Sequence, residues 1–268
     1  MKRKLNILTI LYLFFLVLLF LSGSISGVLG EAVYLLAFAL PVGIGVYLTR
    51  DGSIRGKKLL TLDYEGSRRT LPIVAPTVSV VMLVSYLTSL LIFAVSGKTN
   101  SVDVGDSFIL AIFSHALLPA VLEEALFRYL PMRLLSEHSR RGTILISAFF
   151  FALVHHDLFI IPYAFIAGVI FMMIDIALDS VIPSLIIHFL NNCLSVILIF
   201  AGDNTEFKWS VIVIWGILTF LSLIDIIGGK YYPKRVKYAF TDGEKLEITF
   251  PMLIFAALTL TIAFMSLV

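Results

Sequence analysis

Charge is what this chain lacks. Of its 268 residues only 14% are Asp, Glu, Lys or Arg, whereas 59% are hydrophobic, and the mean hydropathy is +1.01. Soluble domains carry roughly a quarter charged residues, so too few are present to cover a surface in water. Cysteine is nearly absent. Cys193 stands alone, which excludes an intrachain disulfide and leaves the redox compartment open. Internal repeats, low-complexity tracts and linkers are missing too, so residues 1–268 read as a single integral membrane domain. Absent motifs narrow the chemistry. No H-E-x-x-H occurs, which removes the helix motif of zinc proteases. Neither G-x-S-G nor G-x-S-x-G occurs, so intramembrane serine chemistry has no support. The aspartyl motif G-x-G-D is only imitated by Asp103-Val104-Gly105-Asp106, which lacks the first glycine and falls between apolar blocks. The net charge of +2 is modest, and no nucleic-acid partner is expected.

Long apolar runs are what the chain has instead. They fall roughly at 5–28, 32–49, 73–96, 107–132, 143–160, 162–178, 181–201, 209–228 and 248–268. About twenty apolar residues suffice for a helix to cross a ~30 Å hydrocarbon core. The expected fold is therefore all-α: a polytopic bundle of about 8–9 transmembrane helices. The first run follows Met1-Lys2-Arg3-Lys4 but is longer than a signal-peptide core, and it reads as a retained span. The last is either a span or a membrane-associated tail. If every run crosses and the N-terminus is cytoplasmic, 17 basic residues lie inside and only Lys98 and Lys208 outside. That asymmetry satisfies the positive-inside rule. It predicts a multi-pass protein with a cytoplasmic N-terminus.

Ionisable residues within spans are costly and usually functional. Three clusters occur, in His115–Arg128, in Phe151–Asp157 and in Pro183–Asn192. Residues four apart share a helix face. Glu124 and Arg128 are so related, as are Phe151 and His155, and His188 and Asn192, while Glu123 points about 100° from Glu124. With a rise of ~1.5 Å per residue, Glu123 and Glu124 lie roughly 12–15 Å from the cytoplasmic end, His155 roughly 18 Å, and His188 with Asn192 roughly 10–17 Å. All three clusters can meet at one level, in the cytoplasmic half of the membrane.

A carboxylate beside a neutral imidazole can hold a water and take its proton. A second imidazole with a carboxamide can donate to a developing oxyanion. Glu123 then serves as general base beside His155, and Glu124 is held by Arg128 as a structural pair. Two His and a Glu also resemble the ligands of a catalytic zinc, so a metal stays open at this point. Buried Glu, His and Asp also occur in transporters and proton relays, although these often show repeats and broken helices. A non-catalytic scaffold is the third reading. Among the remaining polar residues, His115 reads as structural, His156 and Asp157 as facing a helix end, and Asp175 and Asp179 as interfacial. Cys193 reads as a packing residue, and Trp209 and Trp215 as interface anchors.

The order E-E-x-x-x-R, F-x-x-x-H, H-x-x-x-N, each in its own apolar block, resembles the CPBP family of intramembrane proteases, which holds the type II CAAX prenyl endopeptidases and bacteriocin-processing or immunity proteins. The motifs stand as Glu123-Glu124…Arg128, Phe151…His155 and His188…Asn192. The resemblance covers about 105–205. It implies a glutamate-based endopeptidase. Glu123 and His155 would activate the water, His188 and Asn192 would form the oxyanion site, and Glu124 and Arg128 would support them. It also implies no metal cofactor, zinc being the lesser alternative. The expected partners are the lipid bilayer and a peptide or lipidated-protein substrate, including prenylated CAAX-type C-termini. His156 competes with His155 for the site, and Phe151 four residues earlier favours His155.

Overall fold

The computed structural model describes residues 2–50, 59–61, 64–97, 104–135, 139–158, 160–228 and 248–265. The basic segments 51–58 and 229–247, on which much of the charge asymmetry rests, lie outside the described residues. Among the described residues the chain is all helix. In order come α1 (Lys2–Gly23), α2 (Val28–Leu48), α3 (Tyr64–Ser96), α4 (Phe108–Leu135), α5 (Arg140–Leu153), α6 (Ile160–Leu178), α7 (Ile182–Phe200), α8 (Thr205–Ile227) and α9 (Phe250–Met265). Seven of them are long and apolar enough to cross a membrane; α5 and α9 are shorter. This is a polytopic membrane protein.

Two expectations change. The run 143–160 is not one continuous helix: its helix stops at Leu153, and its 14 residues rise about 21 Å. His155 and His156 therefore lie on the turn beyond it. His156 takes a left-handed backbone (φ 51°), which reverses the chain toward α6. Conversely, α3 begins at Tyr64 and not at 73, so Arg68 and Arg69 ride on its first turns.

Local chemistry sets the starts of several helices. Ser139 Oγ accepts the Gly142 N–H at 3.0 Å and Asn204 Oδ1 accepts the Phe207 N–H at 2.9 Å, each satisfying an amide that the helix itself leaves unbonded. The long α4 is interrupted twice. Its turns Ile112–Leu117 and Ala125–Tyr129 are π-helical, with the Leu118 N–H bonded to the Phe113 carbonyl and the Leu130 N–H to that of Ala125. Prolines 119 and 131 each stand two residues past the end of one of these turns. A proline has no N–H to give and crowds the carbonyl four residues back, and a widened turn relieves both.

Side chains donate to the Leu126 and Phe127 carbonyls of the second π turn, two of them from other helices. The Tyr12 hydroxyl of α1 donates to Leu126 at 3.2 Å. Ser147 Oγ of α5 and Arg128 Nη1 (3.3 Å) both donate to Phe127. In lipid every backbone group must be satisfied within the protein, so these bonds fasten α1 and α5 to α4 immediately beyond Glu124.

An aromatic cluster fills the space around that junction. Tyr12 stacks on Phe127 at 5.3 Å and meets Phe150 at 4.5 Å, and Phe255 of α9 packs on Phe150 at 4.6 Å. The closing run thus docks against the core through Met252, Phe255, Thr259 and Ala263. Helix α5 approaches α6 at Gly168, where a Cβ would come within 2.9 Å of the Ala148 Cα. Close contacts through small residues are how helices associate where lipid is as apolar as the protein. At the other flank, α8 buries no side chain. It joins α3 through Ser79, whose Oγ lies 2.7 Å from Thr219 Oγ1 and accepts from the Trp215 indole at 3.1 Å. Trp215 thus makes a contact between helices, whereas Trp209 is exposed.

Candidate active site

Glu123 and Glu124 end the short α-helical stretch between the two π turns of α4. Adjacent positions face different ways, and the two acids occupy different environments. Glu124 is enclosed, 2% exposed, while the Glu123 side chain keeps 22% of its surface. Arg128, fully buried one turn on, brings Nε to 3.5 Å from Glu124 Oε2. Its guanidinium lies over the ring of Phe151 at 4.4 Å and faces that of Phe171 at 5.7 Å. The fork is held by π faces and by Ser147 Oγ, which accepts from Nη1 at 3.4 Å. Such cation–π contacts strengthen when water is excluded.

His188 comes in from α7. Its Nδ1 lies 2.8 Å from Glu124 Oε1 and its Nε2 3.7 Å from Glu123 Oε2. With Nδ1–H donating to Glu124, the ring is fixed with Nε2 toward the more open carboxylate. Phe171 stands 5.7 Å from the imidazole and Phe151 6.2 Å from it, edge-on. Glu124 therefore holds Arg128 with one oxygen and orients His188 with the other, joining two motifs 64 residues apart. The contact also matches the depths that helix rise assigns to these residues.

His155 reaches the cluster less directly. Its Nδ1 lies 2.8 Å from the Phe151 carbonyl and its ring packs 5.0 Å from the Phe151 ring. Phe151 thus touches both histidines. Among the described residues neither a hydrogen bond nor an ion pair joins His155 to Glu123; the histidine against Glu123 is His188. His156 faces elsewhere, lining a cavity with Leu16, Phe20 and Gly23 of α1 and Ile262 of α9. Asn192, one turn after His188, accepts a hydrogen bond from Asn191 Nδ2 at 3.2 Å. That bond engages the Asn192 carboxamide oxygen and not its N–H groups.

Two residues escaped the sequence reading, Phe171 and Ser147, and a third, Asp175, is placed differently from it. Phe171 walls both Arg128 and His188, Ser147 bridges Arg128 to the Phe127 carbonyl, and Asp175 is fully buried, not interfacial. A helical wheel carries the signal for Asp175: Ala164, Gly168, Phe171 and Asp175 share the spacing of one buried face.

Among the described residues no group of three or more His, Cys, Asp or Glu is arranged to hold a metal ion. Moreover, Glu124 and His188 Nδ1 are already engaged with each other and with Arg128. What the arrangement offers is a half-open carboxylate, an imidazole nitrogen facing it, and carboxamide donors one turn away.

Residues 105–194 match the family model described as Rce1-like, type II CAAX prenyl endopeptidase. Searches of curated proteins and of solved structures give no match. The matched stretch is about a third of the chain and contains all three motifs, ending two residues past Asn192. Set in a bundle of apolar helices, residues 105–194 are thus similar to the Rce1-like domain of type II CAAX prenyl endopeptidases, which supports a CAAX-type intramembrane protease.

Proposed function

We propose that the protein hydrolyses a peptide bond near the cytoplasmic face of the membrane, with a water activated by Glu123. Glu123 is the acid of the pair that is not consumed by structure: it keeps a partly open face while Glu124 is tied to Arg128 and His188. As general base it takes a proton from the water, whose oxygen attacks the scissile carbonyl. His155 is assigned beside it from its motif. His188 and Asn192 donate to the tetrahedral oxyanion. Two carboxylates flank the His188 ring, so an imidazolium there is charge-matched and presents Nε2–H as a donor. Collapse of the intermediate expels the amine, which recovers the proton from Glu123. No metal takes part.

The observation that carries this reading is the contact of His188 with both acids, Glu124 at 2.8 Å and Glu123 at 3.7 Å. It brings the first and third motifs together inside the bundle. The proposed substrate is the C-terminal segment of a prenylated or otherwise lipidated protein, which the bilayer delivers to a membrane-embedded site.

The test is cleavage of a farnesylated CAAX peptide and of a mixed peptide library by the purified chain in liposomes. Glu123→Ala should lower kcat by roughly 10²–10⁴-fold, the usual contribution of a general base. Chelation should leave the wild-type rate unchanged. Full activity in Glu123→Ala removes that residue from the mechanism, and loss under chelation reinstates a metal. Substrate flux across the liposome membrane, abolished by Glu123→Gln, would replace peptidase with transporter.

A further inference from the structure

Helix α7 carries His188 and Asn192 but begins without a cap of its own. Its N-cap position is Val181, which offers no side-chain acceptor, and Pro183 occupies the first turn. The first-turn amides are met from outside the helix. The Val181 N–H bonds to the Leu59 carbonyl at 2.9 Å and the Ile182 N–H to Ser180 Oγ at 3.2 Å. The Ser184 N–H bonds to Asp175 Oδ1 of α6 at 3.0 Å. Asp175 is 0% exposed, a carboxylate placed against the N-terminus of the helix. There the oriented peptide dipoles favour an anion. Ser184 lies one turn before His188, on the same face. One turn before Asp175 on α6 is Phe171, which packs on the His188 ring.

We propose that Asp175 is a positioning residue for the catalytic histidine: from α6 it caps α7 in trans and so sets where His188 meets Glu124. The inference rests on the peptidase reading only for its catalytic consequence. A side chain on one helix replaces the cap missing from the next, so the turn bearing Ser184 keeps its place relative to Phe171. The His188–Glu124 contact spans two different helices. It depends on the axial position of α7 in a way that a contact within one helix does not. A misplacement of about 1 Å in a catalytic group costs roughly 10²-fold in rate.

The experiment compares Asp175→Ala with Asp175→Asn in the full chain. Asn keeps an oxygen able to accept from Ser184, and Ala does not. Amide exchange over residues 182–188, read by mass spectrometry, should quicken about tenfold in the Ala variant, the effect of losing a buried hydrogen-bond acceptor. The Asn variant should return toward wild type. On the farnesylated CAAX peptide the Ala variant should lose roughly 10²-fold in kcat with KM little changed, and Asn should recover most of it. If Asp175→Ala does not stay folded, Asp175→Leu, with the carboxylate's shape and no acceptor, carries the same comparison. Wild-type exchange and wild-type kcat in the Ala or Leu variant overturn the proposal, as does an Asn variant no better than Ala in both readouts. The exchange arm needs no substrate. If no form of the chain cleaves the peptide, faster exchange rescued by Asn still supports the cap, and only the peptidase reading falls.

Discussion

Glu124 and Arg128 form the pair on which the rest of the site is set. Both are enclosed, and Glu124 oxygens serve Arg128 and His188 at once. Removing one member strands the other's charge in a medium that cannot solvate it, which typically costs about 3–5 kcal/mol. Removing both leaves only the packing to repair. Glu124→Leu and Arg128→Met should each lower thermal stability in detergent strongly. The double variant should lose less than the sum, by at least about 1 kcal/mol, because the two residues are in contact. Strict additivity would show that the pair carries no mutual stabilisation. Arg128→Lys should not substitute. The guanidinium plane lies over the Phe151 ring and donates to Phe127 and Ser147, and an ammonium point charge cannot reproduce that geometry.

At the scale of elements, the hairpin α5–α6 decides where Phe151 and Phe171 stand. Its closest point is Gly168 against Ala148, where a Cβ would approach the Ala148 Cα to 2.9 Å and Phe151 Cδ1 to 3.3 Å. Backbone must move to admit it. Gly168→Ala should therefore destabilise by about 1–3 kcal/mol, the usual cost of overpacking, and should reduce cleavage by displacing the Phe151 wall. Gly43→Ala is the control, since nothing lies within 4 Å of its added Cβ. A helical Gly→Ala exchange there should be neutral or mildly stabilising. Equal melting temperatures for the two variants would mean that α5 and α6 separate at little cost.

The Glu124–Arg128 pairing was legible because i and i+4 are neighbours on any α-like turn. The fate of run 143–160 was not. Hydropathy does not distinguish a long helix from a short one with an apolar turn after it, and Val154 continues the pattern past the helix end at Leu153. His155 consequently sits on a turn, at a position that helix rise alone does not describe.

For the whole molecule, counted with every apolar run crossing, 17 basic residues against 2 predict the N-terminus in the cytoplasm. In a Cys193→Ala background, an impermeant maleimide added outside intact cells should label Lys208→Cys and spare Lys4→Cys. The reverse pattern would invert the bundle and move the proposed chemistry to the outer half of the membrane. The helices also divide by duty. α1 and α9 brace the site helices through Tyr12 and Phe255, whereas α8 presents apolar residues such as Ile214, Phe220 and Ile224 to the surroundings. A bilayer covers that surface and makes its exposure harmless.

The amino-acid order by itself determined the membrane setting, the all-helical class and the three motifs. Each depends on local properties: run length, charge between runs, and spacing within one helix. The tertiary structure alone decided which acid meets which histidine and where Asp175 lies. The physical reason is phase. Each π turn inserts about one extra residue and rotates the next stretch of helix by roughly 100° relative to a straight one. Two such turns bracket Glu123 and Glu124, so their facing cannot be read from periodicity. Facing between helices also depends on where small residues allow close approach, as at Gly168, and on which helix supplies the cap or donor another lacks. Tyr12 for Leu126 and Asp175 for Ser184 are partners on different helices, and only the folded bundle brings them together.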